Sequence, residues 1–375
     1  MYQHTRLTTN RLGFFQKFRN FDYILLVCIL ILGFISLATM YSTDGGEVKF
    51  HTKSHFIKLA VFTLMMLVMS FINIKYWFSI GYLAYIVVIG LLVGTYLFGI
   101  TSSGSQRWIN LYFINLQPSE LMKIFIIVCL AKFFHRMKLE NVNSIYTILT
   151  SLIIILLPMG LVIVQPDLGT AILVAISGIA VLWFAGTNYK YFIYTILGFI
   201  ISLPFVIALL KPYQKLRVLT FLNPDKDPLG AGYQIIQSKI AVGSGGIFGK
   251  GFLKGTQSYL EFLPEKHTDF IFTLFSEEFG FVGSAILLVI YAIIIYRIVA
   301  IGASSRSYFA KIFCYSFGAA IFVFITINMS MVLGLLPIVG SPLPIMSYGG
   351  SSMLATMIGF GIVMSARVHN QQMIA

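Results

Sequence analysis

Asp269 lies in the run Pro264-Glu265-Lys266-His267-Thr268-Asp269-Phe270, at the end of a long polar stretch (211–269) and directly before a long apolar segment. A carboxylate at the lip of such a segment is costly to keep unless it has a partner or a task. His267 and Lys266 sit beside it as groups able to tune its proton affinity. Glu277 and Glu278 follow two turns later, so the spacing predicts an outward-opening acidic site next to a basic loop. Acid–base chemistry on a charged substrate needs that mixture. The competing reading is a helix N-cap, because Thr268-Asp269 precedes Phe270-Ile271-Phe272.

Five other groups of residues could carry chemistry. Gln117-Pro118-Ser119-Glu120-Leu121-Met122-Lys123 opens an apolar segment, and a separation of three puts Glu120 and Lys123 on one helix face. Buried, they either pair with each other and fix packing or meet a substrate group, and the spacing leaves both open. Asp167 in Gln165-Pro166-Asp167-Leu168-Gly169-Thr170 reads first as the N-cap of the next helix. Arg107-Trp108 lies in a loop, where Trp is expected as an interfacial anchor and Arg107 could meet an anionic headgroup.

The basic, glycine-rich stretch from Arg217 through Lys239 to Lys254 contains Gly243-Ser244-Gly245-Gly246-Ile247-Phe248-Gly249-Lys250-Gly251. It fails the nucleotide phosphate-loop spacing, because Lys250 is followed by glycine rather than Ser or Thr. A flexible glycine turn is the plain expectation. A second reading keeps backbone N–H groups with Arg217, Lys239 and Lys250 as a cradle for pyrophosphate. The fifth group runs from Asn328 through Gly334, Pro337, Gly340, Pro342 and Pro344 to Ser347-Tyr348-Gly349-Gly350-Ser351-Ser352. Pro and Gly this dense break a helix, and at membrane depth they are tolerated only inside protein or along a wet cavity. The expectation is a re-entrant loop that shapes the site, with Ser347 on its wall.

The elements that must position these residues follow from composition. Of 375 residues 58% are hydrophobic and only 10% charged, far below the quarter or so of a soluble domain. Apolar runs last about twenty residues, the length of a membrane helix rather than a barrel strand. Candidate spans are 22–42, 55–74, 78–100, 118–135, 146–165, 168–187, 191–210, 270–299, 308–333 and 349–366. The fold class is therefore all-α: a polytopic integral membrane protein of about ten transmembrane helices, one domain over 1–375, with a large loop (211–269) between helices 7 and 8.

The formal net charge is +13. In a membrane protein this speaks for orientation and anionic headgroups, not nucleic acid. Arg6, Arg11, Lys17 and Arg19, then Lys132, Arg136 and Lys138, then Arg297, Arg306 and Lys311 fall on one face, which the positive-inside bias assigns to the cytoplasm together with both termini. The basic amino end leading into a full span reads as a signal anchor. Cys28, Cys129 and Cys314 all lie in apolar runs, and no disulfide framework or metal spacing is apparent.

The run from Asn328 to Ser352, with Gln117-Pro118-Ser119-Glu120, Gln165-Pro166-Asp167-Leu168-Gly169 and His267-Thr268-Asp269-Phe270, resembles the SEDS family of bacterial shape, division and sporulation proteins (RodA, FtsW, SpoVE). The resemblance covers nearly the whole chain. Length, short termini and the His-Thr-Asp-Phe form are most like the elongation branch. What it implies is a peptidoglycan glycosyltransferase that polymerises lipid II on the outer face of the bacterial cytoplasmic membrane beside a class B penicillin-binding protein. The family's essential loop aspartate falls on Asp269, and its intramembrane Glu and Lys fall on Glu120 and Lys123. Under that implication Asp269 is the base for an inverting displacement, and Arg217, Lys239, Lys250 and Arg107 are candidates to meet the leaving pyrophosphate. A divalent cation, Mg2+ or Mn2+, would be shared with the phosphates. The rival readings are a lipid II flippase or other carrier, and a noncatalytic scaffold for the penicillin-binding protein. Against a carrier stands the concentration of polar residues on one face instead of around the midplane.

Overall fold

The computed structural model describes residues 13–102, 105–110, 115–209, 215, 220–221, 223, 231–256 and 266–374. Arg217, Arg6 and Arg11 lie outside them. Among these residues the chain forms α1 (Phe14–Arg19), α2 (Tyr23–Thr43), α3 (Phe50–Phe71), α4 (Ile74–Phe98), α5 (Pro118–His135), α6 (Ile145–Val164), α7 (Leu168–Phe184), α8 (Tyr189–Leu209), α9 (Ala231–Ser244), α10 (Ile271–Ser304), α11 (Tyr308–Val332) and α12 (Gly350–Val368).

Ten of these helices coincide with the ten expected spans. Seven are long and apolar enough to cross a membrane by themselves, and Leu168–Phe184 is a shorter apolar helix. α5 owes its lower hydropathy to Glu120, Lys123 and Lys132, and it can carry them because almost all of it is buried among α4, α7, α11 and α12. Large apolar side chains on α3, α4, α6 and α8 are exposed instead, as a lipid-facing surface requires.

One end of the bundle gathers both described chain ends. Lys17 donates to the Phe71 carbonyl, Ser365 to the Ile72 carbonyl, and the Arg306 N–H to the Asn370 carbonyl. The His135 ring contacts the Ile374 carbonyl. Asp22 caps α2 there through the Leu25 N–H and is gripped by the Arg297 guanidinium.

The opposite, distal end corrects the sequence reading in two places. The segment expected as a plain loop at 101–117 carries a three-stranded antiparallel sheet, β1 (Ile100–Ser102), β2 (Ser105–Asn110) and β3 (Asn115–Leu116). These strands are too short for a period-two apolar pattern to stand out. The expected 211–269 loop contains α9, which docks on α10 and α11: Ser238 donates to the Val332 carbonyl at 2.7 Å and lies 2.9 Å from the Thr273 hydroxyl.

α10 is not one straight rod. Gly280 has φ 65° and ψ −160°, so the helix breaks there and resumes. Residues 245–251 lie alongside the break and pair with its backbone. The Lys250 and Gly251 N–H groups donate to the Glu277 and Glu278 carbonyls, and the Phe281 and Val282 N–H groups donate back to Gly246 and Ile247. The two chains approach so closely that a Cβ on Gly280 would sit 2.3 Å from the Gly249 nitrogen, and one on Gly249 would sit 2.0 Å from the Glu278 oxygen. The glycine-rich stretch is thus a clamp on the kinked helix.

Gly280→Ala should cost about 3 kcal/mol, from a left-handed φ plus that clash, and lower the unfolding temperature in detergent by several degrees. Gly90→Ala, mid-helix in α4 with open space around its Cβ position, should raise it slightly. In α5, Glu120 and Lys123 are buried and lie 2.8 Å apart. Lys123→Met should strand a buried carboxylate and cost about 3–5 kcal/mol, and adding Glu120→Gln should recover most of that loss in the same unfolding assay.

Candidate functional site

The turn that carries Asp269 is gripped by its backbone. The carbonyls of His267, Thr268 and Asp269 each accept one hydrogen bond from a different donor: the Tyr348 N–H at 2.8 Å, the Ser347 hydroxyl at 2.6 Å and the Asn328 amide at 3.0 Å. Asn328 is fully buried on α11 and also donates to the Ser341 carbonyl at 2.7 Å. The Ser347 hydroxyl accepts the Leu343 N–H. The Pro- and Gly-rich segment after α11 is therefore an irregular loop held against the Asp269 turn, as expected. Its own backbone is satisfied from the interior. Tyr291 donates to the Pro344 carbonyl at 2.6 Å and Ser36 to the Met346 carbonyl at 2.8 Å. Between them Ile345 is held at φ 69°, a left-handed conformation that a β-branched residue adopts only when its surroundings impose it.

Asp269 is half-buried and is not a helix cap. The N-cap of α10 is Phe270, and no side chain caps it. Oδ2 of Asp269 lies 3.5 Å from the Cβ position of Gly340, whose φ of 72° calls for glycine. The N-cap reading does hold for Asp167. Its carboxylate accepts the Thr170 N–H at 3.2 Å and the Thr170 hydroxyl at 2.8 Å. The same carboxylate takes Arg107 from β2 at 3.1 Å and the Gln117 amide at 3.3 Å. Ser351 of α12 accepts the Gln117 N–H and donates to the Asn115 carbonyl. A backbone carbonyl of the same loop, Val339, sits over Gly169. The four motifs read from the sequence thus converge at the distal end.

Glu277 does not open outward as the spacing suggested. It is fully buried and holds Lys250 at 2.6 Å and the Thr256 N–H and hydroxyl at 2.9 Å each. Glu278 is buried too and accepts the Ser42 hydroxyl of α2. The pair faces inward because the kink at Gly280 turns this end of α10 into the clamp. Lys250 is accordingly part of that clamp. Lys239 is exposed on α9, with its stem across Gly334. Glu120 and Lys123 pair with each other, and the ammonium lies 4.7 Å above the Phe324 ring.

Sequence reasoning missed a polar stripe on α3. His51, Ser54, His55 and Lys58 recur at helical spacing on one face. Lys58 donates to the Tyr348 hydroxyl at 3.0 Å and lies 4.1 Å above its ring, while Tyr348 donates to Ser54 at 3.2 Å. The His51 ring meets Tyr348 edge-on and stacks on His267 at 4.2 Å with a 12° tilt. Asp44, in the turn before α3, faces both imidazoles. The stripe was visible in His51-Thr52-Lys53-Ser54-His55-Phe56-Ile57-Lys58. What concealed it was that its partners, Tyr348 and His267, lie more than two hundred residues away.

The geometry therefore sets a half-buried carboxylate on a rigid turn, flanked by a lysine and an imidazole cluster, at the distal end of a membrane bundle. Residues 19–372 match the FtsW/RodA/SpoVE family of cell cycle proteins. The peptidoglycan glycosyltransferase MrdB of Escherichia coli K12 is 40% identical over 371 residues, covering 97% of this chain and 98% of its own. The probable peptidoglycan glycosyltransferase FtsW of Buchnera aphidicola subsp. Baizongia pistaciae is 34% identical over 345 residues, 90% of each chain. A solved chain from a peptidoglycan synthase complex that coordinates polymerization and crosslinking superposes with a TM-score of 0.81 at 28% identity, over 94% of this chain and 99% of that one. On the strength of the family match, the relatives and the convergence of all four motifs on one end of the bundle, this multi-pass membrane protein belongs to the FtsW/RodA/SpoVE family.

Proposed function

We propose that this protein is an inverting peptidoglycan glycosyltransferase that polymerises lipid II during cell elongation and shape maintenance. It would work at the outer face of the bacterial cytoplasmic membrane, beside a class B penicillin-binding protein that crosslinks the product. The distal end then faces outward, and the basic end that gathers Lys17, Lys132, Arg297 and Arg306 faces the cytoplasm with both termini. The observation that carries the reading is the Asp269 turn, a carboxylate fixed by three backbone carbonyl contacts where the bilayer ends.

In the reaction the acceptor GlcNAc 4-hydroxyl attacks the donor MurNAc C1. A new C1–O bond forms as the bond from C1 to the pyrophosphate oxygen breaks. The hydroxyl proton passes to the Asp269 carboxylate, and the electron pair leaves with the undecaprenyl pyrophosphate. A single displacement on an α-linked donor gives a β-linked product, so one base suffices. The rigid turn sets the direction of the carboxylate, and the membrane holds the lipid tails, so the chain's task is to orient headgroups.

The leaving pyrophosphate needs positive charge. Arg107 and Lys250 are tied to Asp167 and Glu277. Lys58 has no carboxylate partner among the described residues and lies against Tyr348, one residue from Ser347 of the Asp269 staple. We assign it the pyrophosphate-facing role, with Lys239 further out. A divalent cation shared with the phosphates would add charge neutralisation when bound. Of Mg2+ and Mn2+, the acidic and imidazole groups of Asp44, His51 and His267 fit Mn2+. Glu120 and Lys123 shape the floor of the bundle below.

Asp269→Asn should lower glycan synthesis from labelled lipid II by the reconstituted protein and its penicillin-binding partner at least about 100-fold, while the unfolding temperature stays within a degree or two. Long glycan from that variant would remove Asp269 from the base role. Translocated lipid without glycan from the wild type would favour a flippase, and neither activity would favour a scaffold. Lys58→Gln should reduce kcat by about 10–100-fold with a smaller change in KM, because its charge is needed most as the diphosphate departs. A change confined to KM would place Lys58 in ground-state binding instead.

A further inference from the structure

Three side chains at the distal end converge on one point. Asp44 lies between α2 and α3, His51 on the first turn of α3, and His267 on the Asp269 turn. Their ligand atoms all fall within 4.8 Å of one another. His51 Nδ1 is 3.7 Å and His267 Nε2 3.9 Å from the same oxygen, Asp44 Oδ1. We propose that Asp44, His51 and His267 bind a single first-row divalent transition-metal ion, of the Zn2+ or Mn2+ kind, that ties the α2–α3 turn to the turn carrying Asp269.

The surroundings orient each ligand as a metal site requires. The Thr43 hydroxyl donates to the Met40 carbonyl at 2.7 Å, so at 3.0 Å from His267 Nδ1 it accepts the ring proton. That fixes the tautomer and turns the Nε2 lone pair toward Asp44. The other oxygen of Asp44, Oδ2, accepts both the Thr52 N–H at 3.0 Å and the Thr52 hydroxyl at 2.7 Å, which leaves Oδ1 for the imidazoles. An imidazole lone pair and a carboxylate oxygen directed at each other repel unless a proton or a metal cation lies between them, and at 3.7–3.9 Å the gap is wider than a direct hydrogen bond. Asp44 and His267 are held in buried surroundings, with side chains 4% and 15% exposed, while that of His51 is 42% exposed.

Metal–nitrogen and metal–oxygen bonds of about 2.0–2.2 Å place neighbouring tetrahedral ligands roughly 3.3 Å apart. The two distances to Asp44 Oδ1 therefore have to close by about half an ångström, and the imidazole pair, within 4.8 Å, by up to about 1.5 Å. His51 supplies that movement: its ring must leave the near-parallel stack on His267 so that both lone pairs meet, and it is the ligand with room to swing. Two imidazoles and one carboxylate suit Zn2+ and its neighbours better than Mg2+, which demands oxygen ligands in octahedral array. Three protein ligands leave a position open for an outside oxygen. That this position takes a pyrophosphate oxygen rests on the polymerase reading above, whereas metal binding itself does not.

The test uses the full-length protein, purified without a polyhistidine tag, in detergent and titrated with Co2+. The wild type should take up one equivalent, with visible absorption bands of a four- or five-coordinate ion, and should resist displacement by a hundredfold excess of Mg2+. His51→Ala, at the exposed edge of the site, should lose that equivalent, and Asp44→Asn should do the same. Thr43→Val, which removes only the acceptor that orients His267, should weaken binding about 10–100-fold. Zn2+ should raise the unfolding temperature of the wild type and leave that of His51→Ala unchanged. Equal Co2+ binding by wild type and His51→Ala, no stoichiometric binding at all, or displacement by Mg2+ at comparable concentration would each overturn the proposal. The assay contains no lipid II, so a protein that binds Co2+ through these residues yet makes no glycan would uphold the site while removing the polymerase reading.

Discussion

Irregular backbone at the edge of a bilayer must find every hydrogen bond within the protein, and the distal end is organised around that constraint. Three successive carbonyls, of His267, Thr268 and Asp269, point into the loop that follows α11, and the donors arrive from three differently anchored groups. Asn328 belongs to a packed helix, Ser347 is itself fixed by the Leu343 N–H, and Tyr348 is held from its far end by Lys58. Each contact is modest alone, about 1 kcal/mol net, but leaving any one of these carbonyls unmet where water is scarce would cost more than its formation gains. The consequence is positional. The turn is held in one arrangement, and so the backbone from which the Asp269 carboxylate projects is fixed by these contacts.

The same logic explains why the loop after α11 tolerates Pro, Gly and a left-handed Ile345. The bonds from Tyr291 and Ser36 to the carbonyls of residues 344 and 346 hold the strained residue from both sides. On the opposite flank, the break at Gly280 exposes the Glu277 and Glu278 carbonyls, and the glycine-rich stretch supplies the N–H groups they need. Lys250 then neutralises the carboxylate of Glu277, which the kink leaves buried. Helix break, glycine clamp and ion pair depend on one another. Glycine at 249 and 280 reflects close backbone approach, and phosphate recognition is not required to explain it.

Much of this was legible in the sequence, for identifiable reasons. Apolar run length fixes membrane helices because the bilayer sets one length scale, and the boundary at Gln165-Pro166-Asp167 was marked by a proline and a cap. Glu120 and Lys123 announced themselves by a spacing of three. What escaped was everything that depends on two distant segments meeting. The short strands β1 to β3 have too few residues to show alternation. Glu277 read as an open acid because the kink at Gly280 has no signature apart from a single glycine. The imidazole pair of His51 and His267 was invisible because metal-ligand motifs are recognised by close spacing, and these two residues meet only when α3 packs beside the Asp269 turn.

The arrangement of acids sharpens the contrast between scaffold and site. Asp22 is held by Arg297, Glu120 by Lys123, Asp167 by Arg107 and Glu277 by Lys250. Three of the cations come from another segment, so those pairs both neutralise a charge and fix a junction, while Glu120 and Lys123 neutralise each other within α5. Breaking one would strand a charge in a low-dielectric interior, which is why such pairs suit structure and are poorly suited to titrate during a reaction. Asp269 differs in kind. The loop after α11 grips its main chain, and Gly340, whose φ of 72° calls for glycine, lies beside Oδ2, with its Cβ position 3.5 Å away. Under the proposed reading, a half-buried carboxylate on so firmly held a main chain would exchange a proton without loosening the bundle around it.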